Sequence, residues 1–183
     1  KEIRVRIAPS PTGFLHVGTA RAALFNYLFA KNNGGKFILR IEDTDVERSE
    51  PRFEKDAIES LKWLGISWDE GPFRQSDRLK IYSEYLEKLL KENKAYYCFC
   101  SEEKLEAVRQ DQLSRGLAPK YNGTCHNLSQ EEIKERLALK EPSIIRFRTS
   151  QEKISFTDLI RGKIEFDSSL VGDFAIAKTL ATP

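Results

Sequence analysis

Within the first 42 residues the spacing of apolar side chains changes period twice, and this order constrains the fold more than any other feature of the chain. Ile3, Val5 and Ile7 alternate with Arg4 and Arg6, the period-two signature of a short strand. A loop holding two prolines and two glycines follows. Then TARAALFNYLFAK places apolar residues at helical spacing and ends at Asn32-Asn33-Gly34-Gly35, a helix stop and turn. KFILRIE is next, a mostly apolar run of strand length. Strand, helix, strand in this order predicts a βαβ unit, whose strands are parallel and whose crossover is right-handed in nearly all cases.

Farther along, Phe53, Ala57, Ile58, Leu61 and Leu64 share one face of a helix expected over Pro51–Leu64 and stopped by Gly65. A second helix is expected from about Asp77 to Lys91, and there the texture changes. AYYCFC is strand-like. SEEKLEAVRQDQLSR opens with a Ser-x-x-Lys start and an acidic first turn, and SQEEIKERLAL opens with a Ser-x-x-Glu capping box. Four short strand-like runs follow, SIIRFRT, KISFTDL, KIEFD and DFAIAK, separated by Gly or polar turns, as in a small α+β domain with an antiparallel sheet. The boundary is placed near residues 76 to 82, dividing residues 1–80 from 81–183. The chain opens on Lys1 and closes with an apolar strand, Phe174–Ile176, and a turn at Thr182-Pro183, so it is expected to be a piece of something larger.

At 183 residues and 40% hydrophobic content there is enough apolar surface for one large or two small cores. No apolar run approaches the roughly 20 residues that span a bilayer, and the N-terminus lacks the layout of a secretory signal, so no membrane role and a cytoplasmic location are expected. The three cysteines include Cys98 and Cys100, too close for an easy disulfide, which favours metal ligation or free thiols and fits a reducing compartment. Net charge is only +2, so a polyanionic partner would be held by local contacts and not by a global field.

A loop between the first strand and first helix of such a unit is the usual nucleotide site, because helix N-terminal amides and the helix dipole attract phosphate. The loop is neither the G-x-G-x-x-G fingerprint nor a P-loop, since the Gly-x4-Gly from Gly13 to Gly18 is followed by Thr-Ala and not Lys-Ser/Thr. What remains is His16-Val17-Gly18-Thr19. An imidazole there can donate hydrogen bonds to phosphate and stabilise developing charge, although a lone histidine beside a loop is more often a cap or a packing residue.

RIAPSPTGFLHVGTARAALFNYLFA, followed by GGKFILRIEDTD, SLKWLGISWDEGPFRQSDR and AYYCFC, resembles the bacterial-type glutamyl-tRNA synthetases, which are class I aminoacyl-tRNA synthetases, over essentially the whole chain. The resemblance implies the first half of a class I Rossmann-like α/β nucleotide-binding fold with an inserted α+β domain that contacts the tRNA acceptor stem. It implies ATP with Mg2+, L-glutamate and tRNA(Glu) as substrates, and a glutamyl-adenylate. His16 to Thr19 then correspond to the class I signature with its last histidine replaced by threonine. His16, Gly18 and Thr19 are the expected catalytic residues. His16 would hydrogen-bond ATP phosphate, Gly18 would lie close beneath adenosine, and Ser10 and Thr12 would be loop hydroxyls near the ligands. Arg6, Ala8, Ser10 and Glu42 would line the glutamate pocket, Arg6 clamping the side-chain carboxylate and Glu42 taking the α-ammonium. An Arg6–Glu42 ion pair between neighbouring strands is the plainer reading. The acids Glu42, Asp43, Asp45 and Glu47 suggest helix capping more than a magnesium site.

Cys98, Cys100 and Cys125 supply three thiolates for a zinc ion that wants four ligands. Tyr121 and His126 compete for the fourth place. Some members of the family, and its tRNA-modifying paralogue, show Cys-x-Cys with Tyr-x-x-x-Cys, whereas others place a histidine two residues after the third cysteine. Asn127 stands there in this chain, which favours Tyr121 and leaves His126 open. The basic residues Lys104, Arg109, Arg115, Lys120, Lys134, Arg136 and Lys140 are interleaved with acids and are expected mostly on solvated faces, and Tyr96 and Tyr97 are expected as core and cap and not as base-stacking platforms. The second half of the nucleotide-binding sheet, its lysine-rich loop and an anticodon-binding domain have no counterpart here, so the isolated chain is expected to be weak or inactive. Alternatives are the paralogue that glutamylates queuosine in tRNA, and an RNA-binding module without activity in isolation.

Overall fold

The computed structural model describes residues 2–180, in two compact units, Lys1–Leu79 and Lys80–Pro183. The first unit runs β1 (Arg4–Ile7), α1 (Val17–Asn32), β2 (Lys36–Ile41), α2 (Pro51–Trp63), β3 (Glu70–Arg74) and a 3-10 turn at Ser76–Arg78. β1 and β2 pair in parallel from Arg4 opposite Lys36 to Ile7 opposite Leu39, with α1 as their crossover. The βαβ unit read from the periodicity is therefore present. On β2 every second side chain turns inward. Phe37, Leu39 and Ile41 are fully buried against Ala23 and Ala30 of α1, Leu61 of α2 and Ile66. Alanines on the sheet-facing side of α1 let the helix approach closely, and each large side chain so buried contributes about 2–3 kcal/mol.

β3 is the strand that the sequence did not announce. It adds to β2 in parallel, giving the order β1-β2-β3. Its sequence, Glu-Gly-Pro-Phe-Arg, contains the two residues that normally argue against a strand, but an edge position tolerates a missing N–H. Gly71 is required here by contact: at φ 100° a Cβ would lie 2.2 Å from the Leu39 carbonyl oxygen. At the start of the sheet, Glu70 on β3 accepts from Arg4 of β1 in bidentate fashion, at 2.7 and 2.6 Å, and from Lys36 Nζ of β2 at 3.2 Å. One carboxylate thus ties all three strands.

The second unit runs α3 (Leu79–Lys91), β4 (Ala95–Cys98), α4 (Glu102–Ser114), α5 (Gln130–Ala138), β5 (Ile144–Phe147), β6 (Lys153–Asp158), β7 (Gly162–Asp167) and β8 (Ala175–Ala177). Both serine-led helix starts are as expected. Ser101 accepts from the Lys104 N–H, and Ser129 and Glu132 form a reciprocal capping box. The strands depart from the single antiparallel sheet anticipated above. β4, β5 and β8 form one antiparallel sheet, while β6 and β7 pair only with each other, from Lys153 opposite Asp167 to Asp158 opposite Gly162. Alternation within each run cannot say which strands are partners, so one sheet and two look alike in sequence. Leu86, Ala95, Ile145 and Ala177 form the core beneath the three-stranded sheet. β8 starts at Ala175, one residue later than anticipated, and the turn expected at Thr182-Pro183 lies outside the described residues.

The Arg4 and Lys36 contacts lower the Glu70 carboxyl from its ordinary 4.5 to about 2. A depressed folded-state pKa contributes stability that is present above the unfolded value and lost as pH falls through the folded one. Urea midpoints between pH 5 and 2 are therefore expected to fall with acidification in the parent chain, and Glu70→Gln is expected to flatten part of that fall. The contribution is modest, because the cluster is exposed to solvent and screened by salt.

Candidate nucleotide and metal sites

β1 and β2 deliver their C-terminal ends to the same edge of the sheet, and the loop from Ala8 to His16 crosses that edge before α1 begins. Pro9 and Pro11 have no N–H, so the loop has little means of bonding to itself. Its carbonyls are instead taken up by the β2–α2 connection: Glu42 N–H donates to Pro9 at 3.0 Å and Glu50 N–H to Pro11 at 3.0 Å. Leu15 N–H donates to the Asp56 carboxylate on α2 at 2.8 Å, and the Phe14 ring packs edge-on against Phe53 at 5.1 Å. Under the loop lies a cavity of about 260 Å³ whose walls include Ser10, Thr12, Gly13, His16 and Thr19, with Ala57 of α2.

His16 is the N-cap of α1. Its Nδ1 accepts the Gly18 N–H at 3.1 Å, and its Nε2 lies 3.2 Å from Thr19 Oγ1. A neutral ring whose Nδ1 accepts carries its proton on Nε2, so the cap selects the tautomer with a donor on the outer nitrogen. Gly18 has a reason of its own within the chain. A Cβ there would meet the His16 ring at 2.8 Å, so the glycine makes room for the cap. The structure thus gathers Ser10, Thr12, His16 and Thr19 around one cavity. Arg6, Ala8 and Glu42 are not among that cavity's walls. Arg6 Nη1 lies 3.4 Å from Glu42 Oε1, both side chains being partly solvated, and Arg40 Nε lies 3.7 Å from the same oxygen. The plainer ion-pair reading is therefore present, as a long contact. The neighbouring acids are engaged locally: Asp43 accepts from the Ser76 N–H at 2.9 Å and its hydroxyl at 2.5 Å, and Asp45 accepts from the Arg48 N–H at 3.2 Å. Asp56 and Phe14 escaped the sequence reading, since neither carries a local signal that it touches the other element.

In the second unit the end of β4 meets the segment from Tyr121 to Cys125. The sulfurs of Cys98, Cys100 and Cys125 all lie within 4.8 Å of one another, Cys100 and Cys125 at 3.7 Å. The Tyr121 hydroxyl is 3.3 Å from the Cys98 sulfur and 3.5 Å from that of Cys100, and it accepts the Cys125 N–H at 2.9 Å. A tetrahedron of zinc–sulfur bonds near 2.3 Å has edges of about 3.8 Å, so this donor set fits a zinc ion. Burial pushes the Cys98 thiol up, yet its hydrogen-bond contacts with Tyr121 and Arg146 outweigh that and hold the net below the ordinary value. Arg146 is itself buried, and its guanidinium stacks on the Tyr121 ring at 4.0 Å.

His126 turns elsewhere. Its Nδ1 is 2.8 Å from Asp173 Oδ2, and its ring packs beside Tyr96 at 5.3 Å. Asp173 also accepts from Tyr96 OH at 2.6 Å and from the Thr149 N–H at 2.8 Å. Tyr96 is accordingly a core residue, as anticipated, and Asp173 satisfies its hydroxyl. Arg109, Arg115 and Arg136 pair with Glu106, Asp111 and Glu141, which places these basic residues on solvated, charge-balanced faces.

Residues 2–183 match the family described as tRNA synthetases class I (E and Q), catalytic domain. The chain is 52% identical to the glutamate--tRNA ligase of Coprothermobacter proteolyticus over 99% of its own length and 39% of that protein. It is 50% identical to the glutamate--tRNA ligase of Bacillus subtilis over 100% of its own length and 40% of that protein. A crystal structure of a glutamate tRNA ligase from Elizabethkingia meningosepticum in complex with its amino acid superposes with a TM-score of 0.88 at 41% identity, covering 100% of this chain and 40% of that one. The chain therefore spans about 40% of the length of the relatives it matches. Among the described residues no helix is long and apolar enough to cross a membrane.

Asp173→Ala would leave the Tyr96 hydroxyl, the His126 ring and the Thr149 N–H short of an acceptor. A loss of about 3 kcal/mol in the stability of the second unit is expected, measurable by urea unfolding.

Proposed function

This chain belongs to the class I tRNA synthetases for glutamate and glutamine, and from that membership we propose that it carries the ATP- and glutamate-binding residues of a glutamate--tRNA ligase. In that reaction an α-carboxylate oxygen of glutamate attacks the α-phosphorus of Mg2+-bound ATP. The bond to the bridging oxygen breaks, pyrophosphate leaves, and a hydroxyl at the 3' end of tRNA(Glu) then attacks the carbonyl carbon of the glutamyl-adenylate, taking the glutamyl group as an ester and releasing AMP. The substrate supplies the nucleophile, so the protein's task is positioning and stabilisation of developing charge.

The observation that carries this reading is the histidine cap. With Nδ1 committed to the Gly18 N–H, His16 presents Nε2–H beside the cavity that Ser10, Thr12 and Thr19 also line. It is a donor to phosphate and not a general base. The N-terminus of α1 adds its dipole to the same place. Arg6 and Glu42 offer opposite charges at the strand ends, and their 3.4 Å contact is loose enough to open for a ligand. Arg6 would take the side-chain carboxylate of glutamate and Glu42 its ammonium, with Ala8 and Ser10 along the wall. A neutral glutamine would leave the guanidinium uncompensated, which selects against it. Gly18 admits the ligand close to the backbone.

The second unit, residues 80–183, is read as the acceptor-stem-binding insertion, with recognition of RNA by shape and phosphate contacts. Cys98, Cys100, Cys125 and Tyr121 would hold a zinc ion whose contribution is structural, cross-linking the end of β4 to the loop before α5. Tyr121 is preferred over His126 because its oxygen already stands among the sulfurs while His126 is committed to Asp173.

Glutamate-dependent ATP–pyrophosphate exchange, assayed with tRNA on the full-length polypeptide carrying these residues, tests the reading. His16→Ala is expected to lower exchange about 10²–10³-fold, the usual cost of a lost charge-stabilising donor. Exchange unaffected by that substitution would refute the role. For the metal, one equivalent of zinc is expected by mass spectrometry under native conditions. Tyr121→Phe is expected to weaken retention against a chelator, and His126→Ala to retain the metal.

A further inference from the structure

The loop that presents His16 is held at its two ends by different means. Its first half is lashed by backbone bonds from Glu42 and Glu50 to the carbonyls of Pro9 and Pro11, and these depend on no side chain. Its second half, Gly13 to His16, is exposed or half-exposed, and nothing lies within 4 Å of where a Gly13 Cβ would be. Among the described residues, the hydrogen bond that pins this half runs from Leu15 N–H to Asp56 Oδ2 at 2.8 Å, with the edge-on contact of Phe14 and Phe53 beside it. Phe53 and Asp56 are one turn apart on α2, whose next residue, Ala57, and whose Leu61 are buried in the core. The anchor is therefore packed into the core and the anchored half of the loop is not.

Leu15 immediately precedes His16, so any shift of its backbone is passed to the histidine and to the first turn of α1. We propose that Asp56 is a positioning residue for the nucleotide: through the Leu15 amide it sets where His16 Nε2–H and the α1 N-terminus meet ATP, while making no ligand contact itself. This rests on the adenylation reading above. A carboxylate suits the task because a charged acceptor roughly doubles the strength of a hydrogen bond to an amide. The residues expected to hold glutamate, Arg6 and Glu42, hang from β1 and β2 and not from α2, so loss of the tether should fall on the nucleotide and spare the amino acid.

The test is ATP–pyrophosphate exchange by the full-length polypeptide, with KM for ATP and for glutamate measured separately and thermal unfolding followed in parallel. Asp56→Ala is expected to raise KM for ATP about tenfold, the scale on which a misplaced binding group costs activity, with KM for glutamate within twofold of the parent. Asp56→Asn, which keeps an acceptor oxygen in place, is expected to restore most of the ATP affinity. Asp56→Glu keeps the charge but displaces the oxygens by one methylene, and should be impaired toward ATP with unchanged unfolding, which keeps the test decisive if the alanine variant fails to fold. Hydrogen exchange at the Leu15 amide should be faster in Asp56→Ala than in Asp56→Asn. An unchanged KM for ATP in the variants, a parallel rise in both KM values, or an asparagine variant as impaired as the alanine one would each overturn the inference while exchange in the parent stands. Absence of glutamate-dependent exchange in the parent would overturn the synthetase reading itself, and this inference with it.

Discussion

A loop built around two prolines cannot hold its own shape by hydrogen bonding, and the first unit depends on how that is resolved. Pro9 and Pro11 offer acceptors but no donors, and the donors come from Glu42 and Glu50, at either end of the connection between β2 and α2. That arrangement requires β2 to lie parallel and adjacent to β1, which in turn requires the crossover helix α1 to return the chain across the sheet. The same crossover makes His16 the N-cap of a helix, at the edge where the strand ends converge. Sheet, loop and helix start are thus one construction, and the polar groups of the cavity are its by-product.

The histidine shows how one interaction serves two purposes. As N-cap it satisfies a helix amide that would otherwise lack a partner, which is the bland reading of a lone imidazole beside a loop. Because Nδ1 is used for the cap, the proton of the neutral ring sits on Nε2, so the bond that caps the helix also fixes which ring nitrogen is the donor. Gly18 belongs to the same arrangement, since a side chain there would collide with the ring. The second unit follows a related logic. Asp173 gathers Tyr96, His126 and Thr149, and by drawing His126 away it leaves Tyr121 facing the three cysteines.

Several of these features are legible without coordinates because they are local. The alternation of Ile3, Val5 and Ile7, the helical spacing that follows it and the stop at Gly34-Gly35 specify strand, helix and turn within a few residues of chain. Ser129 and Glu132 announce a helix start because the reciprocal bonds close over three residues. Ser10, Thr12, His16 and Thr19 could be placed near one another from sequence, since they lie within one short loop and the turn after it. β3 was hidden by the same local rules: Gly71 and Pro72 signal a break, and only the neighbouring Leu39 carbonyl explains why they stand in a strand.

What the amino-acid order determined by itself is the parallel βαβ unit, the capped helices, the position of the proline- and glycine-containing loop before α1 and the close pair of thiols at Cys98 and Cys100. Each of these is written in patterns over short stretches of chain, where backbone geometry leaves few choices. Tertiary structure alone decided that β6 and β7 stand apart from the β4-β5-β8 sheet, that Tyr121 and not His126 faces the cysteines, and that Asp56 reaches across 41 residues to the amide beside His16. Those outcomes turn on which distant side chains a packed core brings within hydrogen-bonding distance, and no periodicity along the chain records that.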